Sequence, residues 1–112
     1  VIAGRVATAL GDDAALVTVA AGSAIESVLL KVHAAVSAGR QSVLVMIDPD
    51  VAGISRAMLR AAIGPLAIAS APATRVNALD IAAGASTDAA IAAAAFLATA
   101  GSTTGQVIDV GG

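Results

Sequence analysis

The stretch STTGQVIDVGG, residues 102–112, decides the reading of this chain. Val107, Ile108, Asp109 and Val110 stand between a Gly105-Gln106 entry and a Gly111-Gly112 exit, the pattern of a short strand bounded by turns. The segment just upstream, Asp88 to Ala100, is alanine-rich and free of Gly and Pro, which suits a helix. A helix feeding a strand closes many α/β sheets, so an α/β architecture is the expectation to carry back along the chain.

The upstream elements agree with it. Arg75 to Leu79, RVNAL, reads as a strand, joined to the last helix by an AAGAST linker. A helix is expected from about Val51 to Ile63, interrupted at Gly64-Pro65 because proline lacks the N–H that a helix needs, with Leu66 to Ser70 continuing after a kink. Ser42 to Ile47, SVLVMI, is the most strand-like run, and its unbroken apolar character fits an interior parallel strand covered on both faces. Asp48-Pro49-Asp50 stops it. Before that, Ser23 is placed to cap a helix running to about Ala38, in which Ile25, Val28, Leu29, Val32 and Val36 form one apolar stripe. Ala15 to Ala20 is a buried strand, and residues 3 to 10 are a helix stopped at Gly11. The alternation predicts one domain over residues 1–112, a reduced Rossmann-like parallel sheet with flanking helices and right-handed crossovers.

Composition narrows the function. Hydrophobic residues make up 58% of the 112 residues and charged ones 12%, so the chain carries a folded core. That core is mostly Ala and Val, with Phe96 the sole aromatic, and small side chains bury little area at roughly 25 cal/mol per Å². A lone monomer is therefore marginal, and a partner sharing apolar faces would offset this. The six basic residues are scattered and the formal charge is −2, which argues against nucleic acid. Absence of cysteine removes disulfides, thiolate catalysis and Cys-based zinc sites. The longest uncharged apolar run, Ala89 to Gly101, falls short of the roughly 20 residues that span a bilayer, and no signal-peptide pattern opens the chain, so a cytoplasmic location is expected.

Few residues offer chemistry. Asp48 and Asp50 flank Pro49 at the carboxyl end of a central strand, where open α/β sheets place ligands, and with Arg56 they are the candidate ligand contacts; the plainer reading is a solvated turn. His33 falls on the polar side of its helix without a second metal ligand. Ser102-Thr103-Thr104 offers hydroxyls but no Gly-Lys-Ser/Thr phosphate loop, and Ser55 has no histidine set by a motif. The Ala89 to Ala100 helix is apolar all round, which marks it as buried, in a core or against a neighbour.

FLATAGSTTGQVIDVGG resembles the closing segment of short-chain dehydrogenases/reductases, especially those similar to 3-oxoacyl-carrier-protein reductases. Arg75-Val76-Asn77-Ala78 is similar to the RVNA strand start of that family, Ala57 to Pro72 to the later part of its active-site helix, and residues 10 to 45 to its third strand, following helix and fourth strand. On this alignment the NNAG position reads Met46-Ile47-Asp48-Pro49, and the helix and strand that carry the family's serine are omitted. Tyr-x-x-x-Lys becomes Ala52 and Arg56, and no tyrosine exists anywhere in the chain. No G-x-x-x-G-x-G turn for a dinucleotide pyrophosphate appears among these residues.

The resemblance implies a degenerate relative with no catalytic or metal-binding residues, no cofactor for this chain alone, and NAD(P) only within an active assembly. It would be a non-catalytic structural or partner subunit in a homo- or hetero-oligomer with an active reductase. Interface residues would be Ile91, Phe96, Leu97, Val107 and Ile108, since in the family the matching helix and last strand pack on a neighbouring subunit. The alternatives are a fragment or complementing half of an active NAD(P)-dependent oxidoreductase, and a small ligand-binding domain using Asp48, Asp50 and Arg56.

Overall fold

Four parallel strands pair in chain order, β1 (Ala14–Val19), β2 (Ser42–Ile47), β3 (Arg75–Ile81) and β4 (Val107–Val110). Helices α1 (Ile2–Leu10), α2 (Ile25–Ser37), α3 (Gly53–Ser70) and α4 (Thr87–Thr99) alternate with them. This computed structural model describes residues 2–111, so Gly112 of the expected exit turn lies outside the described residues. The architecture is the expected α/β, Rossmann-like parallel sheet with flanking helices.

Side-chain alternation along the strands sets the two faces. Val17, Val19, Val43, Val45, Ile47, Val76 and Ala78 point to one side and are covered by Val28 and Val32 of α2 and by Leu59, Ile63 and Ala67 of α3. Leu44, Met46, Leu79, Ile81 and Val110 point to the other, under Val6 of α1 and Ala90, Ala94 and Leu97 of α4. β2 is buried on both faces from Val43 to Ile47, as its continuous apolar run implies.

The faces correct one expectation. All three crossovers step the same way along the sheet, yet α2 and α3 lie on one face and α4 on the other, so the β3-α4-β4 connection has the hand opposite to the first two. Uniformly right-handed crossovers are therefore ruled out. The long α3 already covers the β3–β4 end of its face, where a Cβ placed on Gly105 would sit 3.5 Å from that of Ala67. On the far face α4 finds α1, and the two pack together.

Pairing also re-registers the family alignment. In the doubly wound order 3-2-1-4-5-6 the third and fourth strands are not neighbours, whereas β1 and β2 pair over six residues, Ala14 with Ser42 through Val19 with Ile47. The run β1 to β4 matches consecutive strands on one side of the switch point. The NNAG position then falls on Val19-Ala20-Ala21-Gly22, and α2 with β2 supplies the helix and strand taken above as omitted, ending in Asp48-Pro49 where no serine stands.

Local chemistry explains other differences. α3 is continuous through Pro65. Pro65 is exposed, so water can reach the carbonyl left without a donor, and Gly64 before it has no Cβ to clash with the proline ring. Ser23 does not cap α2, whose N-cap is Ala24; its hydroxyl instead accepts from Ala20 N at 3.2 Å. Ser86 is the true cap of α4, accepting from Ala89 N at 3.0 Å.

Candidate functional site

The carboxyl ends of the strands gather the charged residues that the core face would otherwise exclude. Asp80 of β3 and Asp109 of β4 are register partners, so their carboxylates lie side by side on the α3 face. Like charges in adjacent positions repel, and α3 answers with Arg56 and Arg60, one turn apart on its inner side. Arg60 Nη1 donates to Asp80 Oδ2 and to Asp109 Oδ1, each at 2.6 Å, and so bridges the two strands. Arg56 Nη1 donates to the other oxygen of Asp80. Its Nη2 donates to three carbonyls of the β2–α3 loop, those of Asp48 at 2.7 Å, Pro49 at 3.1 Å and Val51 at 3.3 Å.

The network is graded in burial. The Asp80 side chain is 11% exposed, Arg56 20%, Arg60 37% and Asp109 73%, so the strength of each pair falls from the Arg56–Asp80 end outward. Hydrogen bonds to Asp109 and then Asp80 hold the Arg60 guanidinium above its usual value. Asp48 shifts upward from 3.8, first through burial and second through the charge of Asp50. Beside the network lies a cleft of about 330 Å³, lined among others by Pro49, Arg56, Asp80, Asp109 and Gly111.

The structure thus gathers Asp48, Asp50 and Arg56 at one rim, but engages Arg56 through its loop and Asp80. A guanidinium has only donors to offer, and both terminal nitrogens of Arg56 donate within the fold, to Asp80 and to three loop carbonyls. Ala52 is the N-cap of α3, one turn before Arg56, with a methyl group where a phenol would be needed. Sequence reasoning missed Asp80, Arg60 and Asp109. The available signal was a pair of arginines at 56 and 60, on the same helical side as Leu59 and Ile63, which requires buried or half-buried acids as partners.

The closing segment is tied down rather than presented. Thr104 Oγ1 accepts from Val76 N at 3.0 Å, the buried Asn77 donates to Thr103 O at 3.1 Å and accepts from Gln106 N at 3.0 Å. Arg75 donates to Leu97 O at 2.9 Å and Ala100 O at 3.0 Å, closing the C-terminus of α4. The RVNA and STTGQ motifs therefore work as a latch between β3 and the α4–β4 loop. Of the expected interface residues, Leu97 is buried in the core, Ile91, Val107 and Ile108 are half-buried, and Phe96 is 58% exposed beside a cavity of about 410 Å³ at the outer edge of β4. His33 is exposed on α2.

A nicotinamide dinucleotide needs a glycine-rich turn between a strand and a helix, at the point where strand order reverses. The turn after β1 reads Ala20-Ala21-Gly22-Ser23, at the NNAG position, and among the described residues no strand-to-helix turn is glycine-rich and strand order does not reverse.

Among the described residues no helix is long and apolar enough to cross a membrane, and no group of three or more His, Cys, Asp or Glu is placed to hold a metal ion. No curated protein and no solved structure matches the chain. A family model does, described as short chain dehydrogenase-like protein and covering residues 7–110. With nearly the whole chain matched and a parallel Rossmann-like sheet in place, this protein belongs to the short chain dehydrogenase-like family.

Proposed function

We propose that this degenerate family member is non-catalytic and serves as a structural or partner subunit, in a homo- or hetero-oligomer with an active NAD(P)-dependent reductase. One observation carries the reading. At the positions matching Tyr-x-x-x-Lys stand Ala52 and Arg56, and the Arg56 guanidinium is committed to Asp80 and three loop carbonyls. Neither group can exchange a proton with a substrate oxygen. What the fold preserves instead is the sheet, the latch around Asn77 and the exposed apolar surface of its helices.

The finer likeness, to 3-oxoacyl-carrier-protein reductases, rests on the TGQVIDVGG end and names the substrates to try first. Purified chain is assayed with 3-oxoacyl thioesters and NADPH or NADH, alone and mixed with an active reductase. The expected result is no turnover alone and a complex of defined mass with the reductase. Turnover by the chain alone would overturn the reading.

A second reading, the complementing half of an active oxidoreductase, is favoured by the edge of the sheet. Among the described residues β1 pairs only with β2, and its sequence, AALVTV, carries no proline or lysine to discourage another strand at its outer edge. Mixing with a chain that carries a glycine-rich strand-turn-helix separates the two. Activity appearing only in the mixture selects this second reading.

A further inference from the structure

We infer that the chain cuts its own backbone between Asp48 and Pro49: the Asp48 carboxyl attacks the main-chain carbonyl of its own residue, whose oxygen is held by Arg56 and by the backbone N–H of Val51. The cut is a single event in each molecule, and it stands independently of the partner-subunit reading.

The three prolines of the chain follow Asp48, Gly64 and Ala71, so Pro49 alone has an acidic residue before it. An aspartyl-prolyl bond is the peptide link most easily broken by acid. The side-chain carboxyl reaches the adjoining carbonyl carbon through a five-membered ring, and the proline nitrogen, a tertiary amide, takes up a proton more readily than other amide nitrogens. The fold adds to this intrinsic weakness. Asp48 O accepts from Arg56 Nη2 at 2.7 Å, the shortest of the three bonds that nitrogen makes, and from Val51 N at 3.2 Å. Two donors on one carbonyl, one of them a cation, stabilise negative charge as it develops on the oxygen, provided they are already in place. Asp80 fixes the guanidinium from behind, and its side chain is only 11% exposed. Asp48 N donates to Val19 O at 2.9 Å, which anchors the attacking residue to β1.

The reacting form of the side chain is the acid. Burial, and next the charge of Asp50, raise Asp48 from 3.8 and so keep that form to higher pH. The charged groups around it are Asp50 in its own loop, Arg56 of α3 and, behind Arg56, Asp80 of β3; residues 20–24, which follow the neighbouring β1, carry none. The step balances with water alone. A bond forms from the Asp48 carboxyl oxygen to Asp48 C, the bond from Asp48 C to Pro49 N breaks, and the carboxyl proton passes to Pro49 N. This leaves a cyclic anhydride at residue 48 and a new amino terminus at Pro49, and water opens the anhydride to an Asp48 that ends in a free α-carboxylate. Pro49 is exposed and lines the cleft of about 330 Å³, so water reaches the anhydride. Pairing of β2 with β3, from Ser42 with Arg75 to Ile47 with Asp80, holds residues 1–48 and 49–112 together after the cut.

The test holds the purified chain at about pH 5, where an ordinary aspartate is mostly ionised, both folded and in concentrated urea. Mass spectrometry under denaturing conditions follows the products, because the two pieces stay paired in the fold. The folded chain is expected to yield residues 1–48 and 49–112 at least about tenfold faster than the unfolded chain, since only the fold places the two donors. Asp48→Asn, which keeps the shape and removes the attacking carboxyl, is expected to stay whole. Arg56→Met, which keeps the length of the stem and removes the guanidinium donors, is expected to slow the cut at least about tenfold. Circular dichroism shows which samples are folded, and the comparison of folded with unfolded parent chain decides the matter even where Arg56→Met fails to fold. Equal rates in the folded and unfolded chain, a folded chain that stays whole, or a folded Arg56→Met cut as fast as the parent would each overturn the inference.

Discussion

Replacing Asp80 with asparagine tests whether the ionic network holds the carboxyl end of the sheet together. Asparagine keeps the size of the side chain but removes its charge and turns an amide NH₂ toward guanidinium donors. Asp80 accepts from both Arg56 and Arg60 and its side chain is 11% exposed, so the lost bonds are charge-assisted and largely shielded from water. Such bonds are worth about 1.5–3 kcal/mol each. Arg56 keeps three loop carbonyls and Arg60 keeps Asp109 and solvent, which softens the loss, as does relief of repulsion between the two neighbouring carboxylates. A net destabilisation of about 2 kcal/mol follows, well below the sum of the two bonds. For a domain of this size that lowers Tm by about 8 °C. Thermal and urea unfolding followed by circular dichroism measure it. Asp109→Asn is the matched control: its carboxylate is 73% exposed, so removing it costs about 0.5 kcal/mol or less. Equal small shifts for the two variants would refute the argument that burial, and not charge alone, sets the strength of this network.

Three further outcomes are expected. Asn77→Ala removes the buried amide that bonds both Thr103 and Gln106, leaving a carbonyl and an N–H without partners, and should cost about 3 kcal/mol, with faster hydrogen exchange across residues 102–106. Ser86→Ala deletes the α4 cap and should cost about 1 kcal/mol in urea unfolding. Asp48 is raised above 3.8 in the fold, so the folded chain binds more protons than the unfolded one just above that pH. Its contribution to stability is present below pH 3.8 and is lost as pH rises through the elevated folded value; Asp48→Asn should flatten that part of the pH profile and leave stability at neutral pH unchanged or higher.

The order of elements was legible because short apolar runs such as SVLVMI alternate with longer helical stretches such as the Ile25–Val36 stripe, with Gly, Pro and Asp turns between them. Three features were not. The face taken by α4 depends on what already covers the sheet, and a helix apolar on every side gives no local sign of it. Continuity of α3 through Pro65 depends on exposure and on the glycine before it, which are tertiary facts. The Arg56–Asp80–Arg60–Asp109 network joins residues 20 to 49 positions apart, beyond any periodicity. Asp80 in particular was hidden inside a run called strand only to Leu79. The motif resemblance placed Arg56 correctly in α3 but could not show that its terminal nitrogens donate to Asp80 and to the loop. It also named TGQVIDVGG and RVNA without revealing that Thr104 and Asn77 tie the two together.

The non-catalytic reading is tested most directly by calorimetric titration of NADPH, and separately NADH, into the purified chain. With no glycine-rich strand-to-helix turn among the described residues and no tyrosine in the chain, the expected result is no saturable heat with either nucleotide. Saturable binding of one nucleotide per chain, competed by the other, would contradict the account.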